Sequence, residues 1–291
     1  MQYRILATDL DNTLIPFGEP DPRPEMLAAI QKMRAAGVPL VVATGRTFSS
    51  MAGKLAGRVP FDYAVCCNGG QVTDREGRTL AETPLTAEEM YALVDFFEDY
   101  DYPLAFAFRD SYYAYTEYPA LLRVFDALPG AKLSILDGED QDRHLIDMPH
   151  AGFGMLPPGA LERFEEKYGY LGIRFLQVGG HHKGGPAGWL HYDIVGRGVD
   201  KAEGLRRLCG VLEIPVSTLV TAGDGENDVG MLAAAGLGCA MSNGVAAAKA
   251  AADRVIGDVS ENGLAVLIEE LWFGGPRAAP SAGGLPPTAT I

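Results

Sequence analysis

Three short apolar runs along the chain each end in a polar cluster. Tyr3 to Leu10 carries Ile5, Leu6 and Ala7 and closes on Asp9-Leu10-Asp11-Asn12-Thr13. Val38 to Ala43 stops at Thr44-Gly45-Arg46. Thr218 to Ala222 stops at Gly223-Asp224-Gly225-Glu226-Asn227-Asp228. Runs of this length without polar alternation read as strands buried on both faces of a parallel sheet. Helical periodicity fills the spaces between them. Glu25 to Ala36 puts Leu27, Ile30 and Met33 on one face and ends before Gly37, a C′ residue. Lys201 to Leu212 has Leu205, Leu208 and Leu212 at helical spacing, and Asp200 and Glu203 stand at capping-box spacing before it. Strand–helix alternation of this kind predicts a doubly wound α/β sheet. Ligands bind such sheets outside the carboxyl ends of the strands, where all three polar clusters fall.

A long stretch between the second and third clusters breaks the alternation. Thr86 opens a helix with Glu89 at capping-box spacing and Met90, Leu93, Val94 and Phe97 on its apolar face. Aromatic strand-like runs follow at Leu104 to Arg109 and Tyr112 to Thr116, then a helix near Ala120 to Ala127. A strand near Phe153 to Leu156, a helix near Ala160 to Tyr168, and strands near Ile173 to Val178 and Leu190 to Val195 close the insert. The expected division is a core of residues 1–83 and 190–272, an α+β cap over 84–189, and a flexible Gly/Pro/Ala-rich tail over 273–291. The junctions at Glu82-Thr83-Pro84 and Gly184-Gly185-Pro186 suit linkers or turns. The chain of 291 residues is long enough for two such domains.

Two carboxylates at the end of a buried strand are costly without a partner, and a divalent cation is the natural one. Charge narrows the partners: 24 Lys and Arg against 38 Asp and Glu leave a formal −14, which opposes nucleic acid and anionic membrane surfaces. It does not oppose a small phosphorylated metabolite, whose binding is decided by local cations. Cys66, Cys67, Cys209 and Cys239 lie in apolar runs without CxxC spacing and read as free thiols of a reducing compartment. No signal peptide or membrane-spanning run is visible, so a cytoplasmic protein is expected, as a monomer or small homo-oligomer.

Asp9-Leu10-Asp11-Asn12-Thr13, Ala43-Thr44-Gly45-Arg46, the lone Lys201 opening a helix, and the run from Gly223 to Leu232 (GDGENDVGML) together resemble the four motifs of the haloacid dehalogenase superfamily. The long insert resembles its large C2-type cap branch, and the whole is most similar to the Cof-type sugar-phosphate phosphatases. The resemblance covers residues 3–271 and implies a Rossmann-like core with a cap that sets specificity. It implies a Mg²⁺-dependent phosphomonoesterase in which Asp9 is the nucleophile and a metal ligand. Asp11 is then the general acid and base, with its backbone carbonyl on the metal, and Asp224 is a further metal ligand. Thr44, with Gly45, binds phosphate, and Lys201 neutralises it. Asn227 lies near the phosphate, and Asp228 orients Lys201 or metal-bound water. A phosphomutase and a non-catalytic, metabolite-sensing module on the same fold are the alternatives. Arg46 reads either as a substrate contact or as a salt-bridge partner. Asn68-Gly69-Gly70 reads either as a loop near the site or as a tight turn. His181 and His182 fit a cap hairpin or loop better than a metal pair. Arg109, Tyr112, Tyr113, Tyr115 and Lys183 are further cap candidates. Two departures from the family pattern are Asn12, where Gly is commoner, and Met241-Ser242-Asn243-Gly244. Asn tolerates the same backbone conformations better than most residues.

Overall fold

The computed structural model describes residues 3–55, 57–126, 135–137, 141–178 and 185–275. His181, His182, Lys183, Gly184 and the tail from Pro276 lie outside the described residues. In chain order the strands are β1 (Ile5–Thr8), β2 (Leu40–Ala43), β3 (Tyr63–Cys66), β4 (Gln71–Asp74) and β5 (Thr79–Glu82), then β6 (Leu104–Ala107), β7 (Tyr112–Thr116), β8 (Ile135–Asp137), β9 (Ala151–Leu156), β10 (Arg174–Gln177) and β11 (Leu190–Val195), and finally β12 (Leu219–Gly223), β13 (Leu237–Met241) and β14 (Arg254–Ile256). The helices are α1 (Pro24–Ala35), α2 (Phe48–Leu55), α3 (Ala87–Asp99), α4 (Tyr118–Asp126), α5 (Ala160–Tyr168), α6 (Lys201–Val211), α7 (Val229–Ala234), α8 (Ala246–Ala251) and α9 (Gly263–Phe273).

The eight-stranded core sheet runs β14-β13-β12-β1-β2-β3-β4-β5. It is parallel from β14 to β3, and β4 and β5 add an antiparallel edge. Alternation along β1 sorts the two faces. Leu6 and Leu10 pack with Met26, Ile30 and Leu267 under α1 and α9, while Ile5 and Ala7 pack with Leu205 and Leu208 of α6. Strand order reverses at β1, because the chain moves outward through β2 and β3 on one side and through β12 and β13 on the other. That reversal opens a crevice at the carboxyl edge, and β1, β2 and β12 bring the three polar clusters to it.

The insert forms its own six-stranded sheet, β10-β11-β9-β6-β7-β8, antiparallel apart from the β7–β8 pair. Its main core is aromatic: Phe96, Phe97, Phe106 and Phe164 under α3 and α5. The return boundary differs from the sequence reading. β11 pairs with β9 and β10 in the insert's sheet, so the chain re-enters the core after Val195 rather than at residue 190. The strand's apolar pattern suits either sheet, and only pairing assigns it. Phe273 likewise belongs to α9 rather than to the tail, with Lys32 Nζ 4.0 Å above its ring.

The two crossings between lobes run together. The Glu89 carboxylate accepts from Thr86 N at 2.8 Å on the outgoing segment and from Arg197 N at 2.8 Å on the returning one. Thr86 Oγ1 accepts in turn from Glu89 N, completing the anticipated capping box. Helix α2 carries no sequence expectation, because Ser49, Ser50 and Gly53 dilute its apolar face of Met51 and Leu55. No helix among the described residues is long and apolar enough to cross a membrane.

Asp62 fastens the core's outer side. It accepts from Arg34 Nε at 2.8 Å, from Arg34 Nη2 at 2.5 Å and from Leu40 N at 2.9 Å. Burial alone would raise its pKa, but these bonds and the Arg34 charge hold it below the ordinary value. A depressed folded pKa contributes stability above the unfolded value of about 3.9, and that contribution disappears as pH falls through the folded value. Asp62→Ala is expected to lower unfolding free energy by about 2 kcal/mol at pH 7. Urea titrations of both proteins should show the gap closing below about pH 4.

Candidate active site

Lys201 opens α6 directly after its N-cap, where Asp200 accepts from Glu203 N at 2.7 Å. The Glu203 side chain turns to Arg206 and Arg207, so the cap is made by Asp200 alone. Lys201 is fully buried. Its ammonium donates to Asp9 Oδ1 at 2.6 Å and to Asp228 Oδ1 at 2.7 Å. Burial would lower a lysine pKa, yet Asp228 and Asp9 hold Lys201 well above its ordinary value. Asp228 Oδ2 accepts from Asp224 N at 2.9 Å and Gly225 N at 2.8 Å, so one carboxylate both pairs the lysine and shapes the loop after β12.

Asp9 follows β1 and hydrogen-bonds through its N–H to Ala222 O of β12 at 2.9 Å. Asp224 accepts from Thr13 Oγ1 at 2.7 Å. Carboxylate oxygens of Asp9, Asp224 and Asp228 lie within 4.8 Å of one another. Burial pushes the Asp9 pKa well up against the pull of Lys201, and the carboxylates of Asp228, Asp224 and Asp11 push the same way. Asp224 is pushed up to about 6, again mainly by burial. With Asp228 occupied by Lys201 and two amides, Asp9 and Asp224 carry the excess negative charge. Hard oxygen donors crowded in this way fit a hard divalent cation, which would relieve both shifts.

Asp11 faces the other way. Its carboxylate accepts from Arg46 Nε at 2.8 Å and Nη2 at 3.1 Å, and from Lys54 Nζ at 2.5 Å. Burial alone would raise it, but the charges and hydrogen bonds of Arg46 and Lys54 bring it down to about 2. Arg46 is therefore a salt-bridge partner of Asp11. Thr44 is buried, its N–H bonds Val65 O at 2.8 Å, and its Oγ1 accepts from Arg46 N at 3.2 Å.

Side chains of the insert reach this edge. Asp193 of β11 accepts from Asn68 Nδ2 at 2.9 Å, and Asn68 Oδ1 accepts from Asn227 Nδ2 at 2.9 Å. A Cβ on Gly45 would meet Asp193 Oδ2 at 2.5 Å, so only glycine permits this approach. Burial raises Asp193 to about 6. Burial, then Cys67 and Asp193, raise the phenol of Tyr112 of β7 well above the ordinary value. Asn68-Gly69-Gly70 is thus both a tight turn and a loop at this edge. Asn68 is left-handed at φ 51°, and Gly69 at φ +107° has no room for a Cβ against Asp200 O. Thr13, Lys54 and Asp193 escaped the sequence reading. Thr13 sits inside a quoted motif, but Lys54 and Asp193 lie in runs with no chemical signature.

Fold and site define a hydrolase class. The profile of the haloacid dehalogenase-like hydrolases matches residues 6–147 and 179–268, and the chain belongs to that family. It is a Cof-type member of the superfamily and a phosphoric monoester hydrolase. It is 26% identical over 275 residues to 5-amino-6-(5-phospho-D-ribitylamino)uracil phosphatase YbjI of Escherichia coli (strain K12), covering 93% of this chain and 97% of that one. It is 26% identical over 286 residues to pyridoxal phosphate phosphatase YbhA of the same strain, covering 92% and 98%. The solved structure of the subclass IIB sugar phosphatase BT4131 shares the fold, with TM-score 0.77 and 19% identity over 92% of this chain and 98% of that one.

Removing one partner of a buried ion pair leaves the other uncompensated, at about 3–5 kcal/mol. Asp228→Ala is expected to lose that much in urea unfolding. Lys201→Met should cost at least as much, because it leaves both Asp9 and Asp228 without their cation.

Proposed function

We propose that the protein is a Mg²⁺-dependent phosphatase of small phosphorylated metabolites, sugar phosphates foremost, working through an aspartyl-phosphate on Asp9. The observation that carries this reading is the meeting of Asp9, Asp11, Asp224 and Lys201 at one sheet edge, drawn from strand ends far apart in sequence. In this reading an Asp9 oxygen attacks phosphorus while the ester oxygen leaves. Asp11 supplies the proton to that oxygen and later takes one from the water that hydrolyses the aspartyl-phosphate. Lys201, Thr44 and the backbone at Gly45 bind phosphoryl oxygens, with Asn227 beside them. Asp228 holds Lys201 and the loop of Asp224 in place. Asp9, Asp224 and the Asp11 carbonyl would hold Mg²⁺, whose contribution is positive charge on the phosphoryl oxygens. With its pKa near 2, Asp11 is held ionised, as the base half requires, but is a weak base until a cation leaves it. For the acid half, one of its two cations has to withdraw.

The insert is proposed as the specificity lobe. The relatives' names point to three unlike leaving groups, a ribitylaminouracil, a pyridoxal and a sugar. One core chemistry serves all of them if the leaving group is read by insert residues, and Asp193 and Tyr112 are the proposed readers. The proposed setting is the cytoplasm, consistent with four buried free thiols.

Inorganic phosphate release is expected to vanish in excess chelator and to return with Mg²⁺. Asp9→Asn should fold and bind but show no multiple turnover, and sustained turnover by it would sink the nucleophile assignment. Asp11→Asn should lower kcat/KM by about 10²–10⁴-fold on alkyl phosphates and much less on aryl phosphates, whose phenolates leave without a proton. Equal losses on both would remove Asp11 from the acid role.

A further inference from the structure

We propose that Lys54 is the fixed anchor of Asp11: it holds Oδ1, so that Oδ2 is the oxygen that serves the leaving group. The inference rests on the phosphatase reading above and deepens it. Lys54 lies on α2, eight residues beyond Arg46 on a helix no motif marks, and its side chain is 1% exposed. Lysines are almost never enclosed without a partner. Among the described residues the one hydrogen-bond acceptor of its ammonium is Asp11 Oδ1, at 2.5 Å.

The two cations on Asp11 are not equivalent. Lys54 touches Oδ1 only. Arg46 spans both oxygens, Nε to Oδ2 at 2.8 Å and Nη2 to Oδ1 at 3.1 Å. Arg46 retains 16% side-chain exposure and touches Ser50 Oγ loosely at 3.5 Å, so it is the less enclosed of the two cations. Withdrawal of Arg46 toward a bound substrate frees Oδ2 while Oδ1 stays pinned. In the forward half the Oδ2–H proton passes to the ester oxygen as that oxygen keeps the P–O electron pair, giving the free alcohol and an Asp11 carboxylate. In the return half a water oxygen attacks phosphorus, its proton goes to Oδ2, and the Asp9 oxygen leaves with its electron pair. Lys54 forms and breaks no bond in either half, so it is a positioning residue.

The test compares kcat/KM on an alkyl phosphate and an aryl phosphate, because kcat/KM reports the step in which the leaving group departs. Lys54→Met is expected to lose about 10- to 100-fold on the alkyl ester and no more than about threefold on the aryl ester. Lys54→Arg should recover part of the alkyl loss. In an Asp11→Asn background, Lys54→Met should add little, since both act on one proton transfer. An equal loss on both esters, no alkyl loss, or full additivity with Asp11→Asn would overturn the anchor role and leave Lys54 structural. Should Lys54→Met not fold, Lys54→Gln is read by the same criteria. Asp11→Asn alone separates the two levels. If it is unselective, the general-acid reading falls. If it is selective while Lys54→Met is not, only the anchor falls.

Discussion

The buried ammonium of Lys201 is the constraint on which the rest of the site depends. It has no exposure and two carboxylate partners, Asp9 and Asp228. An ammonium taken out of water costs several kcal/mol unless its partners are well placed. The end of β1, the start of α6 and the loop after β12 must therefore arrive together. Asp228 extends the constraint, because its second oxygen holds the backbone of Asp224 and Gly225. A single residue at a helix start thus sets where the carboxylates of Asp9 and Asp224 stand.

Around that centre the charges are segregated. Asp9 and Asp228 share Lys201 with Asp224 close beside them, whereas Asp11 has both Arg46 and Lys54. Asp224 rises to about 6 while Asp11 falls to about 2, although both begin as ordinary aspartates. Environments that push like groups apart are how one fold assigns different tasks to the same side chain. One half of the site is left wanting a cation, and the other holds its carboxylate charged.

The insert meets this arrangement through a line of polar contacts from Asp193 through Asn68 to Asn227. That line crosses from β11 to the loop carrying Asp224 and Asp228. The core cluster continues the same way through Ala107, Ala151 and Val195. Apolar continuity brings the lobes together, and the polar line sets what faces the crevice between them. Glu89 ties the two crossings between the lobes.

The three apolar runs, their polar ends and the helix opened by Lys201 were legible in the sequence, because buried strands of a parallel sheet carry uninterrupted apolar residues and helices carry a 3.6-residue period. Four motifs in fixed order were enough to name the family. The capping box at Thr86 was legible too, since capping is local chemistry. What the tertiary structure alone decided is everything that depends on who pairs with whom. The sequence lets Leu190–Val195 close the insert or open the returning core at 190, and hydrogen bonding of β11 to β9 and β10 decides for the insert. The pairing of Arg46 with Asp11, 35 positions away, is a contact that no spacing announces. Lys54, Thr13 and Asp193 acquire meaning only from partners brought near by folding, and no spacing along the chain encodes a contact across 43, 211 or 125 residues. Periodicity and capping are properties of neighbours in sequence, whereas an ion pair in a crevice is a property of neighbours in space.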